Sequence, residues 1–248
     1  MARRAALSVL LVGFLLVTAG PGAAAPRHAR VPSCGPLDVA YVIDDTGSMG
    51  GAIADVQSGA ARQVSLIKAG SHNDYQLSLV TFKDFVVVHD DLALRDGPAV
   101  VNDILGLVAT GGGNTPEASD EALNTVINGL DQNDRLPGQQ FGDFNGVFRP
   151  QATKLIFLVT DALPGGFDDQ FTPGVDDVNA HLRALEAAAA GITIGAIFVP
   201  TNGDPTGQIT AIMRDYATTT GGTFVRVDAD GNFTLEAIGR TLRAECGG

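Results

Sequence analysis

The sequence predicts an α/β fold with a doubly wound, mostly parallel sheet, a Rossmann-like layout, and three observations carry that expectation. Apolar β-rich runs alternate with stretches of helical periodicity along nearly all of the chain after residue 36. Glycines stand where helices end, at Gly70, Gly191 and Gly221. Only Lys83-Asp84-Phe85 separates two of the β-rich runs, which predicts a hairpin and therefore one antiparallel edge strand.

In chain order, the strands are expected at Leu37 to Asp44, Gln76 to Phe82, Val86 to Leu92, Lys154 to Thr160, Ile192 to Val199 and Thr223 to Val227. Helices are expected over Ala52 to Ala69, Pro98 to Val108, Pro116 to Leu130, Asp176 to Ala190, Thr206 to Thr218 and Phe233 to Ala244. The polar stretch Asp131 to Pro150, with glycines between phenylalanines, reads as an insertion between a helix and the next strand. Because it precedes a strand, it is placed at the end of the sheet opposite the strands' carboxyl ends.

Residues 1–24 have the layout of a secretory signal: Arg3 and Arg4, an apolar run from Ala5 to Ala19, then small residues. Residues 25–36 form a linker, and 37–246 form a single domain. Removing the leader takes away two arginines and no acids, so a formal charge of −12 becomes −14. So acidic a chain excludes nucleic acid as a natural partner. No later run is a better candidate for a membrane span, so no stable membrane insertion is expected after cleavage and the protein is expected to be secreted to the extracellular space. Cys34 and Cys246 are the only two cysteines, they stand near the ends of the mature chain, and export allows a disulfide between them.

The segment VAYVIDDTGSMG, Val39 to Gly50, carries the chemistry. An apolar strand ends abruptly in carboxylates, followed by hydroxyls two residues apart and then glycine. Asp44, Thr46 and Ser48 alternate, so an extended turn aims three oxygen-bearing side chains at one point, as Mg²⁺ or Mn²⁺ requires of a hard-donor site. Asp45 and Gly47 supply the turn. An ordinary strand-to-helix turn with Ser48 as a helix cap is the structural alternative. In an open α/β sheet the ligand crevice lies outside the carboxyl ends of the strands, so a true site draws on several ends. Thr115, in GGGNTPE before a helix, and Asp161, after LIFLVT, meet that requirement.

Taken together, these segments closely resemble the metal-ion-dependent adhesion site of von Willebrand factor A domains, whose pattern is Asp-x-Ser-x-Ser, then a Thr, then an Asp. The resemblance runs from about Leu37 to Ala244 and implies that family's doubly wound fold. It further implies a bound Mg²⁺, or Mn²⁺ or Ca²⁺, held by Asp44, Thr46, Ser48, Thr115 and Asp161, with an Asp or Glu side chain of a protein partner completing the coordination. Thr46 departs from the pattern at the first serine position but keeps the hydroxyl. The resemblance implies no enzyme activity.

Two alternatives stand beside this reading. One is a secreted scaffold domain whose metal serves stability alone. The other is aspartyl-phosphate chemistry, because DDTGS is similar to the Asp-Lys-Thr-Gly-Thr motif of cation-pumping ATPases in the haloacid dehalogenase superfamily; Asp44 would then be the nucleophile of a phosphatase. The lysine after that aspartate is missing here, and DADGN, Asp228 to Asn232, is a loose match to the companion segment. His72, His89 and His181 show no metal-ligand spacing. The loops at the strands' carboxyl ends, Asp45 to Gly51, Thr110 to Pro116, Ala162 to Gly174 and Pro200 to Pro205, are expected to select the partner. Phe167 and Phe171 would offer contact area there or tuck beneath the loop.

Overall fold

The computed structural model describes residues 33–113, 116–168 and 170–246. The expected signal segment, most of the linker and Thr115 lie outside these residues.

Seven strands form one sheet in the order β4-β3-β2-β1-β5-β6-β7. Their ranges are β1 Leu37–Asp44, β2 Tyr75–Phe82, β3 Val86–Leu94, β4 Gln140–Phe141, β5 Thr153–Thr160, β6 Ile192–Phe198 and β7 Phe224–Arg226. All neighbours pair in parallel except β2 with β3, the expected hairpin. The two-residue β4 adds outside β3 but pairs only with Val86 and Val87, so β3 is the edge for most of its length. Among the described residues six α-helices accompany the strands, five between them and the last after β7: α1 Gly50–Gly70, α2 Gly97–Gly106, α3 Ser119–Asn128, α4 Asp176–Ala189, α5 Gln208–Thr220 and α6 Thr234–Cys246.

β1 is buried at all eight positions, which explains why its sequence is a continuous apolar run rather than an alternating one. Val39, Tyr41 and Ile43 face a core built with α1, α2 and α6. Ala40 and Val42 face a second core built with α3, α4 and α5. Helices thus cover both faces. Gly191 and Gly221 adopt the left-handed backbone that ends α4 and α5.

Helix α3 begins later than the expected Pro116. Glu117 is instead engaged in a bridge to Pro164, and the Ala118 N–H donates to the Lys83 carbonyl. The insertion corrects a larger expectation, for part of it reaches the end of the sheet where β1 and β2 finish. β3 runs antiparallel, so Val86 lies beside Phe82, which in turn lies beside Asp44. The pairing of Gln140 with Val86 brings the insertion to that end, where Phe141 meets Phe85 edge-on at 5.3 Å. The segment then descends along β3. Asp91 accepts from the Asn145 and Gly146 N–H groups, and Arg149 grips Asp38 at the foot of β1.

Cys34 and Cys246 form a disulfide, with Cα atoms 4.5 Å apart across a sequence separation of 212. It ties the end of α6 to the approach to β1. Among the described residues no helix is long and apolar enough to cross a membrane.

Candidate metal centre

β1 sits between β2, reached by one crossover, and β5, reached after the chain has wound the other way. The carboxyl ends of β1 and β5 therefore form the topological switch point, where open α/β sheets bind ligands. Asp44 is the last residue of β1, and Asp161 follows β5 directly.

Both carboxylates are buried, Asp44 at 0% exposure and Asp161 at 3%. Asp44 Oδ1 accepts from the Thr46 N–H at 3.0 Å and from Thr46 Oγ1 at 2.7 Å, while Oδ2 accepts from Thr160 Oγ1 at 2.7 Å. Thr46 Oγ1 lies 3.1 Å from Ser48 Oγ. Asp161 Oδ2 accepts from Thr201 Oγ1, a residue just beyond β6. The structure thus brings Asp44, Thr46 and Ser48 together and sets Asp161 on the adjoining strand end. The Ser48 hydroxyl does not cap α1.

Neither Asp44 nor Asp161 has a basic partner among the described residues; the nearby Lys83 Nζ is engaged by Asp45 at 3.0 Å. Burial, reinforced by the Asp161 charge, pushes Asp44 up to about 7, against the hydrogen bonds from Thr46 and Thr160. Two buried carboxylates beside hydroxyls, without a basic partner among the described residues, concentrate negative charge at this point. Among the described residues no three His, Cys, Asp or Glu side chains gather as metal ligands, so a cation here would depend on hydroxyl and water oxygens too.

The loops around this point are laced together by backbone bonds. Gly47 N–H donates to the Gly111 carbonyl and Thr110 N–H to that of Asp45, both at 3.0 Å. Gly112 has a positive φ, and a Cβ there would sit 2.3 Å from Thr46 Cγ2, so the threonine methyl occupies space that only glycine leaves open. On the far side of Thr115, Glu117 N–H donates to the Leu163 carbonyl and Gly165 N–H to that of Glu117. Gly112 and Pro116 are therefore fixed, respectively, against Thr46 and against the 162–174 loop. Phe167 and Phe171 pack partly buried against the core, tucked under that loop, and Arg135 of the insertion stacks over Phe167 at 5.0 Å.

Sequence reasoning missed Thr160 and Thr201, which orient the two carboxylates. Thr160 was legible only as the last strand residue. Nothing local marks Thr201. The remaining polar motifs are satisfied without a ligand: Asp228 accepts from the Asn232 N–H across the DADGN turn, His89 bonds Thr81, and His181 pairs with Asp215.

Residues 38–134 match the family model of the von Willebrand factor A domain. Among solved structures, a von Willebrand factor type A protein of Catenulispora acidiphila superposes with a TM-score of 0.57 at 16% identity, over 85% of this chain and 43% of that one. The pilus adhesin SpaC of Lactobacillus rhamnosus GG gives 0.59 at 14%, over 86% and 31%. Proximal thread matrix protein 1 of the mussel byssus, solved with a zinc-occupied MIDAS motif, gives 0.58 at 17%, over 87% and 49%. This chain spans less than half the length of each, and at these identities the likeness shows the fold alone. No curated protein matches the chain in sequence.

Proposed function

On the premise that this chain is a von Willebrand factor A domain protein, we propose that it is a secreted adhesion-type domain. In this reading it holds Mg²⁺, with Mn²⁺ or Ca²⁺ as alternatives, and through the ion binds an Asp or Glu side chain of a protein partner. One observation carries the reading: two buried carboxylates and two neighbouring hydroxyls at the sheet's switch point, with no basic side chain among the described residues to neutralise them.

The donor set fits a hard divalent cation. Thr46 and Ser48 would hold it through hydroxyl oxygens, Thr115 would join from the adjoining loop, and Asp44 and Asp161 would act directly or through water. The bound ion supplies positive charge and a coordination position that a partner's carboxylate can take. The chain's own part is to orient its oxygens. Thr160 and Thr201 fix the carboxylates, and Gly112 admits the Thr46 methyl. Secretion is supported by the basic-then-apolar leader and by the disulfide, which persists in oxidising surroundings.

The phosphatase alternative has weak support. Asp45 stands where that motif has its lysine, and DADGN is only a loose match to the companion segment. The scaffold alternative is separated by Thr115→Ala: loss of adhesion with melting in excess Mg²⁺ nearly unchanged favours adhesion, and a large loss of stability favours the scaffold.

Capture of partners from the producing cell's surface and surroundings, in Mg²⁺ and in chelator, tests the proposal directly. Wild type should retain a partner in Mg²⁺ only, and Asp161→Ala in neither. Retention that chelator and the substitution leave unchanged would overturn it.

A further inference from the structure

A second candidate site lies on the α1/α6 face. A groove of about 380 Å³ runs between these helices, within the range of small-ligand sites. Gly59 and Gly239 line it, and the polar groups along it are Arg62, Arg243, Gln63 and Glu236. Both helices carry a buried glycine along the groove. At Gly59 the missing side chain admits Leu235, whose Cδ2 would lie 2.1 Å from a Cβ. Gly239 is buried beneath neighbouring polar groups. A Cβ there would lie 3.4 Å from Arg243 Nη1 and 3.9 Å from Gln63 Nε2, so that spot is flanked by a guanidinium and a carboxamide.

Gln63 is 5% exposed and commits its amide nitrogen to the Leu235 carbonyl at 2.7 Å. Its Oε1 is buried and has no hydrogen-bond partner among the described residues. A buried acceptor in that condition costs about 1–3 kcal/mol and calls for a donor. Arg62 and Arg243 form no ion pair among the described residues, whereas Glu236 faces Arg240 at 3.9 Å. In a chain with formal charge −12, anions are repelled in general, so two uncommitted arginines on one groove mark a local exception.

We infer that this groove binds a carboxylate carrying an adjacent hydrogen-bond donor. The carboxylate pairs with Arg62 and Arg243 over Gly239, and the donor reaches Gln63 Oε1. Two sources present that chemistry, an acidic residue of a peptide with its backbone N–H, and a free hydroxy acid. The inference is independent of the cation reading, because every group it uses lies on α1 or α6.

The test is a titration of the intact protein, followed through backbone amide resonances of Gly59 and Gly239, with EDTA present throughout so that no metal contributes. The probes are N-acetylglutamate N-methylamide and L-malate, with the uncharged glutamine analogue and acetate as controls. At least one probe should bind saturably with a dissociation constant below about 10 mM, and both controls should bind at least tenfold more weakly. Tighter binding of the blocked glutamate identifies a peptide source; tighter binding of malate identifies a small acid.

Gly239→Ala places a Cβ at ordinary contact distance from Arg243 Nη1, pressing on the guanidinium, and replaces a helix-interior glycine with a better helix former, so it should fold and melt no lower than wild type. It should weaken binding at least tenfold, as should Arg62→Gln with Arg243→Gln. Absence of saturable binding by either probe, or unchanged affinity in folded Gly239→Ala, would overturn the inference.

Discussion

The two ends of β1 present the same residue in opposite electrostatic circumstances. Asp38, near its start, and Asp44, at its finish, are both aspartates at 0% exposure on one fully buried strand. Asp38 is neutralised. Arg149 donates to it from its backbone N–H at 2.6 Å, from Nε at 2.8 Å and from Nη2 at 2.6 Å, and also reaches Asp74. Asp44 receives only neutral donors and faces a second carboxylate. The first arrangement is complete as it stands and fastens the insertion to the sheet. The second has no basic side chain among the described residues to neutralise it. Burial alone therefore does not separate a neutralised carboxylate from an unneutralised one; the charge supplied to it does.

The largest effect expected from breaking this contrast is at the foot of the strand. Arg149→Ala should cost about 3–5 kcal/mol in denaturant unfolding, because it strands a buried carboxylate. Asp44→Asn, assayed in chelator, should change stability by less than about 1 kcal/mol, since it removes a charge that has no partner. A loss at Asp44 equal to that at Arg149 would erase the distinction. Comparable in size, Cys34→Ser with Cys246→Ser should destabilise by up to about 5 kcal/mol, the loop-closure limit for so long a separation. The same variant should also change partner affinity, because the disulfide tethers α6.

A smaller effect follows from metal. Mg²⁺ at about a hundred times its dissociation constant should stabilise wild type by about 2.7 kcal/mol, seen as a higher melting temperature. Asp161→Ala should show no such increment. Smaller still is the effect of Asp120, at the start of α3, which is 1% exposed and pushed up to about 7 by burial and by Glu121. Its ordinary value when unfolded lies near 3.8, so folding is favoured by its protonated form. That contribution is complete below the unfolded value and is lost as pH rises through about 7. Asp120→Asn keeps an oxygen to accept the Gly166 N–H, so it should be more stable than wild type at pH 8.5 and little different near pH 4. Parallel pH profiles of the two melting curves would contradict this.

Much of the architecture was legible because it is local. A continuous apolar run ending in two carboxylates specifies both a central strand and its finish at Asp44, and LIFLVTD does the same for Asp161. β4 was not legible, since Gln140 and Phe141 form no run of their own and pair only because a long insertion climbs the sheet edge. The partners that orient or neutralise the carboxylates were also hidden. Thr160 acts on a residue 116 positions away, Thr201 on one 40 away, and Arg149 on one 111 away. Local pattern finds the charged groups, and only the folded chain shows which of them are already paired.

Calorimetric titration of Mg²⁺ into the partner-free protein tests the central claim most directly. Wild type should bind one ion saturably, and folded Asp44→Asn and Asp161→Ala should bind none. Absence of binding to wild type, or equal binding to all three proteins, would contradict the assignment of a cation site to the end of β1.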